Sequence, residues 1–362
     1  MVFTFGIEEE FLLTDARTGL PTGSRELARA LMSPEHGSLP SSAELLDAQV
    51  EVSTPVCTTR GEALEALLAF RSGLATAAAS VGVRVAPTGA APNIPDAPPV
   101  LNSSDRYRRM GLLTGAVARE QYVNGVHVHV GIDSRDTGVR VLNGLRPWLA
   151  LLGALAANSP YWRGSDSSFA SWRMVHYRRW SVQGCPPFFS DALDYARRLD
   201  ALLLATDVVP DAGHVGWAAR LSEHFPTVEV RIADAQLQAG DTVLLAVLVR
   251  ALVETLASAE PASGAAPDPE LLDVGLWQAA RFGLGGNLVS YPGGSVPAAK
   301  LLHALLDYVA DALEDAGDRE FAAAGIARIL ATGTGAQRQR AAFHSGGPAG
   351  LVDLYSRSLT AQ

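Results

Sequence analysis

Four short runs of this chain alternate polar and apolar residues with the period of a β-strand, and each places its acidic or imidazole groups on one face. In the first, Phe3, Phe5, Ile7, Phe11 and Leu13 share a face, while Glu8 and Glu10 project oppositely. In the second, Ala48, Val50 and Val52 alternate with Asp47, Gln49, Glu51 and Ser53. In the third, Val126, Val128, Val130 and Ile132 alternate with His127 and His129, between Gly125 and Gly131. In the fourth, Val228, Val230 and Ile232 alternate with Glu229 and Arg231. One sheet accounts for all four: its apolar face packs on helices and its polar face lines a cleft. Glu9 breaks the pattern, which calls for a bulge or a salt bridge at the sheet rim.

Glu8, Glu10, Glu51 and Glu229 on one surface repel each other unless something cationic sits among them. Water solvates a glutamate on any single strand harmlessly, but four such strands lack lysine partners altogether, because Lys300 is the only lysine in the chain. Divalent cations answer the repulsion economically, with Arg231 as a further positive group. Carboxylates in excess over imidazoles favour Mg²⁺, or Mn²⁺ as the alternative, over Zn²⁺. Mg²⁺ held by scattered carboxylates usually also holds substrate phosphates. This points to a nucleotide bound on a sheet face through metal and arginine. A phosphate loop is excluded because no Gly-Lys-Ser/Thr step exists, and Schiff-base chemistry would rest on Lys300 alone. His127 and His129, two residues apart, present both imidazoles to the same cleft, and the flanking glycines leave room for something to approach the sheet.

A net charge of −9 and a pI near 5.4 argue against non-specific binding to nucleic acid or anionic membranes. Cys57 and Cys185 are the only cysteines and form no CxxC pair, so neither a disulfide framework nor a thiolate zinc site is expected. The opening residues reach three glutamates too early for a signal peptide. The longest apolar stretches, Trp148–Ala157 and Val243–Val249, are far shorter than a bilayer span. A cytoplasmic protein is the expectation.

Helical periodicity predicts helices over Glu62–Ala79, Val139–Ala157, Asp191–Ala205 and Asp241–Ser258, the last two opening on aspartates suited to capping. Residues 260–269, rich in Pro, Ala and Gly, are the best linker. Beyond them lies a mostly helical part: Glu270–Phe282, Val296–Ala316, Glu320–Ala331 and Pro348–Leu359. Residues 1–362 are read as one domain.

Eight segments, in order along nearly the whole chain, resemble glutamate–cysteine ligase family 2, the YbdK-type carboxylate–amine ligases. They are Gly6-Ile-Glu-Glu-Glu-Phe11, Gln49-Val-Glu-Val-Ser-Thr-Pro55, Gly125-Val-His-Val-His-Val-Gly131, Ala157-Asn-Ser-Pro160, Ser171-Trp-Arg173, Thr227-Val-Glu-Val-Arg231, Ala280-Arg-Phe-Gly-Leu284 and Gly335-Ala-Gln-Arg-Gln-Arg340. The resemblance implies an α+β fold like the catalytic domain of glutamine synthetase and guanido kinases, a curved antiparallel sheet with helices on one face. It also implies an ATP-dependent reaction in which a carboxylate, typically the γ-carboxylate of glutamate, becomes an acyl phosphate that an amine attacks. By position, Glu8, Glu10, Glu51, His127, His129 and Glu229 are implied as Mg²⁺ ligands. Glu51 and Arg231 are implied at the catalytic centre, and Arg173, Arg338 and Arg340 at the nucleotide. Arg106 and Asn124 are implied at the substrates. Small carboxylates and amines are the implied partners, and relatives are often homodimers.

The chain departs from the family pattern at Asn124, where many members have Cys, and at Gln337, where an acidic residue is common. It departs again in 87–93, which lacks the usual histidine. The metal positions are retained while the substrate loops differ. Two other classes compete with the ligase: a metal-dependent hydrolase using His127 and His129, and a non-catalytic binding protein of the same fold.

Overall fold

A computed structural model describes residues 3–23, 27, 41–259, 267–291 and 293–361. Most of the expected linker, 260–266, lies outside the described residues. The alternating runs pair into one seven-stranded sheet built from β1 (Phe5–Asp15), β2 (Ser41–Ala43), β3 (Gln49–Ser53), β4 (Val83–Ala86), β5 (Gly125–Gly131), β6 (Ala219–Leu221) and β7 (Thr227–Asp234). The order is β6-β7-β5-β1-β3-β2, with β4 pairing the C-terminal half of β1, and every pair is antiparallel.

Phe5, Ile7, Val126, Val128, Val130, Val228 and Val230 are buried on the helix-facing side. They form one core with α3 (Arg135–Leu145), α4 (Leu149–Leu155) and α7 (Ala239–Ser258). Helix α7 is apolar around most of its circumference because it is sandwiched between the sheet and outer helices. Helix α1 (Arg60–Ser80) covers β4 and starts at Thr59, whose side chain closes a capping box with Glu62.

Glu9 needs no bulge. It stays in register opposite Val52 and Val126, points into the helix layer, and is 1% exposed. Arg71 of α1 meets it with two hydrogen bonds, Nε–Oε2 at 2.9 Å and Nη2–Oε1 at 2.5 Å, and Thr242 Oγ1 donates a third. The salt bridge expected at the rim lies in the core.

Other boundaries shift for local reasons. The helix expected over Val139–Ala157 is two helices, α3 and α4, because Pro147 cannot continue the ladder past Leu145. Asp191 caps α6 (Ala192–Ala205), whereas Asp241 sits inside the first turn of α7 and accepts from Arg328 instead. The expected Val296–Ala316 helix opens as a short strand, Ser295–Pro297, and continues as α9 (Ala298–Tyr308) and α10 (Ala310–Asp315). Helix α8 (Pro269–Phe282) precedes that strand and α11 (Arg319–Thr332) follows α10. The 335–340 run forms the first turns of α12 (Gly335–Leu359), which kinks at Gly347 (φ +59°) before Pro348.

Candidate active site

The pairing register lines up the polar face residue by residue. Glu10 stands opposite Glu51, Glu8 opposite His127, His129 opposite Glu229, and Glu229 opposite Arg220. Their side chains line a cleft of about 400 Å³. His127 Nδ1 is 3.0 Å from Glu8 Oε2 and 3.8 Å from Glu229 Oε1, and its Nε2 is 3.9 Å from Glu10 Oε1. His129 Nε2 lies 3.4 Å from Glu8 Oε1, while its Nδ1 bonds Thr227 Oγ1 at 3.0 Å. Glu10 accepts from the Gly125 N–H at 2.6 Å. Burial by itself would raise the Glu8 carboxyl, but the neighbouring imidazoles of His127 and His129 outweigh it and hold the group well below the usual carboxylate range.

Three groups of ligand atoms converge within 4.8 Å: Glu8 with Glu51 and His127, Glu8 with His129 and Glu229, and Glu10 with Glu44 and Glu51. Both imidazole Nε2 atoms are buried without a hydrogen-bond partner. Burial, together with the charges of Glu10 and Glu51, pushes the Glu44 carboxyl well above its ordinary range. Orphaned imidazole nitrogens and a Glu44 carboxyl crowded enough to resist ionisation fit a divalent cation, and a mainly oxygen donor set fits Mg²⁺ or Mn²⁺.

Arginine supplies the cationic side of the cleft. Arg220 Nε donates to Glu229 at 2.8 Å, and its Nη1 holds the carbonyls of Ala212, Gly213 and Val215. Arg231 donates to Glu229 and, at 3.4 Å, to Tyr177 Oη. Burial raises the cost of ionising Glu229, yet Arg231 and Arg220 more than offset it and keep the carboxyl far below the usual range. Helix α2 (Asp105–Thr114) brings Arg106 to the rim, where its guanidinium grips Asp211 at 2.8 and 3.1 Å.

The sequence match to the model of Glutamate-cysteine ligase family 2 runs over residues 4–353. The chain belongs to that family. Members of glutamate–cysteine ligase family 2 similar to it include a Nocardia farcinica protein provisionally named glutamate–cysteine ligase 2-1. That protein is 44% identical over 343 residues, covering 94% of this chain and 88% of its own. A Mycobacterium sp. (strain KMS) protein provisionally named glutamate–cysteine ligase 2-2 is 38% identical over 364 residues, with 99% of each chain covered. Among solved structures, the glutamate–cysteine ligase of Francisella tularensis in complex with AMP superposes with a TM-score of 0.72. It shares 13% identity and covers 100% of this chain and 90% of its own. A bifunctional glutathione synthetase from Pasteurella multocida gives 0.68 at 15% identity, covering 99% of this chain and 52% of that one. This family member is a carboxylate–amine ligase with the expected α+β antiparallel architecture.

The structure gathers Glu8, Glu10, Glu51, His127, His129, Glu229, Arg231 and Arg106 around one cleft. Four other expected residues lie elsewhere. Asn124 is fully buried at the start of β5, accepting from Gln49 Nε2 at 3.0 Å and donating to the Thr88 carbonyl. Arg338 reaches Gln238 and Asp241 on the helix side of the sheet, and Arg340 forks onto Asp166 at 2.8 Å through both Nε and Nη2. Both are held by partners on neighbouring elements, and neither lines the cleft. Arg173, on α5 (Trp172–Tyr177), lies against Gly125, where a Cβ would come within 2.3 Å of Nη2, and donates to the carbonyls of Arg231 and Ile232. It lines a neighbouring pocket instead.

Sequence reading missed Glu44, Arg220 and Tyr107, all of which line the cleft. Arg220 was within reach: Ala219–Leu221 and Thr227–Arg231 flank a short turn, so a hairpin places Arg220 across from Glu229. Glu44 lies outside any regular strand, and no local periodicity marks it.

Proposed function

We propose that the chain binds ATP with Mg²⁺ in the acidic cleft and joins a small carboxylate, of the glutamate γ-carboxyl type, to an amine. The observation that carries this reading is the convergence of three acid and imidazole groups on one sheet face with Arg220 and Arg231 beside them. Glu8, Glu10, Glu44, Glu51, His127, His129 and Glu229 would hold the cations. Bound there, Mg²⁺ supplies charge neutralisation for a transferring phosphoryl group.

The chain's own residues have distinct tasks. Arg231, kept firmly protonated by Glu229 against the cost of its burial, contacts the transferring phosphoryl oxygens. Glu229 holds that guanidinium in place. A carboxylate oxygen of the first substrate attacks the γ-phosphorus, and the bond to the β-bridging oxygen breaks to give ADP and an acyl phosphate. The amine nitrogen then attacks the acyl carbon, phosphate leaves with the bonding pair, and the nitrogen gives up a proton. Among the described residues no helix is long and apolar enough to cross a membrane, and we place this chemistry in the cytoplasm, where ATP and Mg²⁺ are supplied.

The test is product analysis. The full chain is incubated with ATP, Mg²⁺ and pools of carboxylates and amines, and ADP, phosphate and condensation products are measured. ADP release that needs both a carboxylate and an amine supports the ligase. Amide hydrolysis without ATP would instead place the chain among metal hydrolases.

A further inference from the structure

Beyond Arg231 the acidic cleft opens into a second pocket of about 410 Å³, and the two share Tyr177, Gln183, Gly216 and Arg231. Its walls are apolar: Met174 and Val175 of α5, Val274, Leu276 and Trp277 of α8, and Ile232 of β7. At its inner end stand two guanidiniums, Arg173 and Arg231. Arg173 is 2% exposed and the Arg231 side chain 10%. Each retains a buried Nε–H with no acceptor. An unpaired buried donor is costly, and two of them beside an apolar chamber ask for a ligand that brings an anionic oxygen at one end and an apolar body at the other.

The remaining polar groups around the chamber are already committed. Gly216 N–H donates to the Val182 carbonyl, Ala218 N–H to Gly184 and Arg231 N–H to Ala218. Arg178 and Asp273 hold each other at the mouth through two bonds of 2.8 and 2.6 Å. Apart from the Gln183 amide, the lining has little with which to read the edge of a purine, so an aryl or branched-alkyl group suits it better than a nucleobase. Cysteine's single methylene and thiol would leave most of the volume unfilled.

We propose that this chamber is the specificity pocket of the ligase, and that one substrate is a carboxylate-bearing molecule with an aryl or branched-alkyl group. Its carboxylate meets Arg173 and Arg231, and its apolar group rests among Val274, Leu276 and Trp277. This rests on the ligase reading above and goes further, naming the class of substrate.

The test has a binding arm and a turnover arm. In the first, 3-phenylpropanoate and 3-phenylpropanol are titrated into the full chain by calorimetry. The acid is expected to bind at least tenfold more tightly than the alcohol, and Val274→Trp, a substitution at the half-exposed mouth, to abolish that binding. In the second, ADP release is followed with phenylalanine or leucine against alanine or cysteine as one member of the substrate pair. Wild type is expected to favour the bulky members by roughly tenfold or more in kcat/KM, the scale of a filled apolar pocket. Val274→Trp should remove that preference by lowering kcat/KM for the bulky members at least tenfold, with the KM for ATP held within about twofold.

A preference for cysteine or alanine, or an unchanged preference in Val274→Trp, overturns the proposal. So does a KM for ATP that rises with Val274→Trp, which would make the chamber a nucleoside site. Binding of the acid with no ADP release from any pair would sink the ligase reading and leave the pocket assignment standing.

Discussion

Glu9 and Glu10 are neighbours on one strand, and their opposite faces turn a conservative substitution into two different experiments. Glu9→Gln keeps the volume and an acceptor oxygen but deletes a charge in a site where Glu9 and Arg71 are 1% and 0% exposed. Arg71 retains the carbonyls of Gln236 and Leu237, yet its positive charge is left in the core uncompensated. Breaking one partner of a buried pair costs about 3–5 kcal/mol, which corresponds to a fall in Tm of about 4–7 °C for a chain of this size. Well below its Tm, the variant should keep wild-type dependence on Mg²⁺. Glu10→Gln should do the reverse. Its oxygen can still accept from Gly125 N–H, and Tm should move by less than about 2 °C, as for changes that break no buried pair. The lost ligand charge should raise the Mg²⁺ concentration for half-maximal ADP release by on the order of tenfold. Thermal unfolding followed by circular dichroism and a Mg²⁺ titration of ADP release read the two effects separately. The face assignment is refuted if Glu9→Gln melts with wild type, or if Glu10→Gln leaves the Mg²⁺ titration unmoved.

Arg231→Ala should lower kcat by on the order of 10²-fold or more, the scale of losing an electrostatic partner of the transition state, while Arg338→Ala leaves steady-state ADP release within about twofold. Glu44, whose carboxyl is pushed by burial and the charges of Glu10 and Glu51 above the ordinary glutamate value of 4.5, opposes folding once pH exceeds that value, because the unfolded chain ionises first. Glu44→Gln should therefore raise Tm at pH 7 in EDTA, with the gain vanishing below about pH 4, where both states are protonated. Added Mg²⁺ should raise the wild-type Tm more than that of Glu44→Gln, a difference that calorimetry in matched buffers will report.

The sheet was legible because a strand's period of two leaves a plain record. The faces of β1, β3, β5 and β7 could be assigned from Glu8, Glu51, His127 and Glu229 without knowing which strands were neighbours. Glu9 looked like an exception only because its partner, Arg71, lies 62 residues away on a helix. Periodicity within one element cannot report a pair of that kind. The same limit explains Asn124 and Arg340. Each lies in a segment with family resemblance, but whether a side chain turns to the cleft or to Gln49 or Asp166 depends on elements distant in sequence. Pro147 was visible and underused, since a proline without an N–H inside a continuous helix should have divided it.

The resembling segments that do not reach the cleft serve the strand that carries it. Between Val230 and Ala233 the register of β7 against β5 slips by one residue, a β-bulge that begins directly after Val230. Arg173 donates to the carbonyls of Arg231 and Ile232, the two residues inside that bulge. Beyond it, buried Asp234 accepts from Asn158 N–H, Ser159 Oγ and Ser171 Oγ at 2.7–2.8 Å. Gln339 grips Asn158 Oδ1 at 2.7 Å and accepts from Tyr355 Oη. A bulge bends its strand and re-aims the side chain it carries, so the direction of Arg231 depends on a network drawn from 157–160, 171–173 and 335–340. Those segments lie outside the cleft and set the geometry of one arginine from behind.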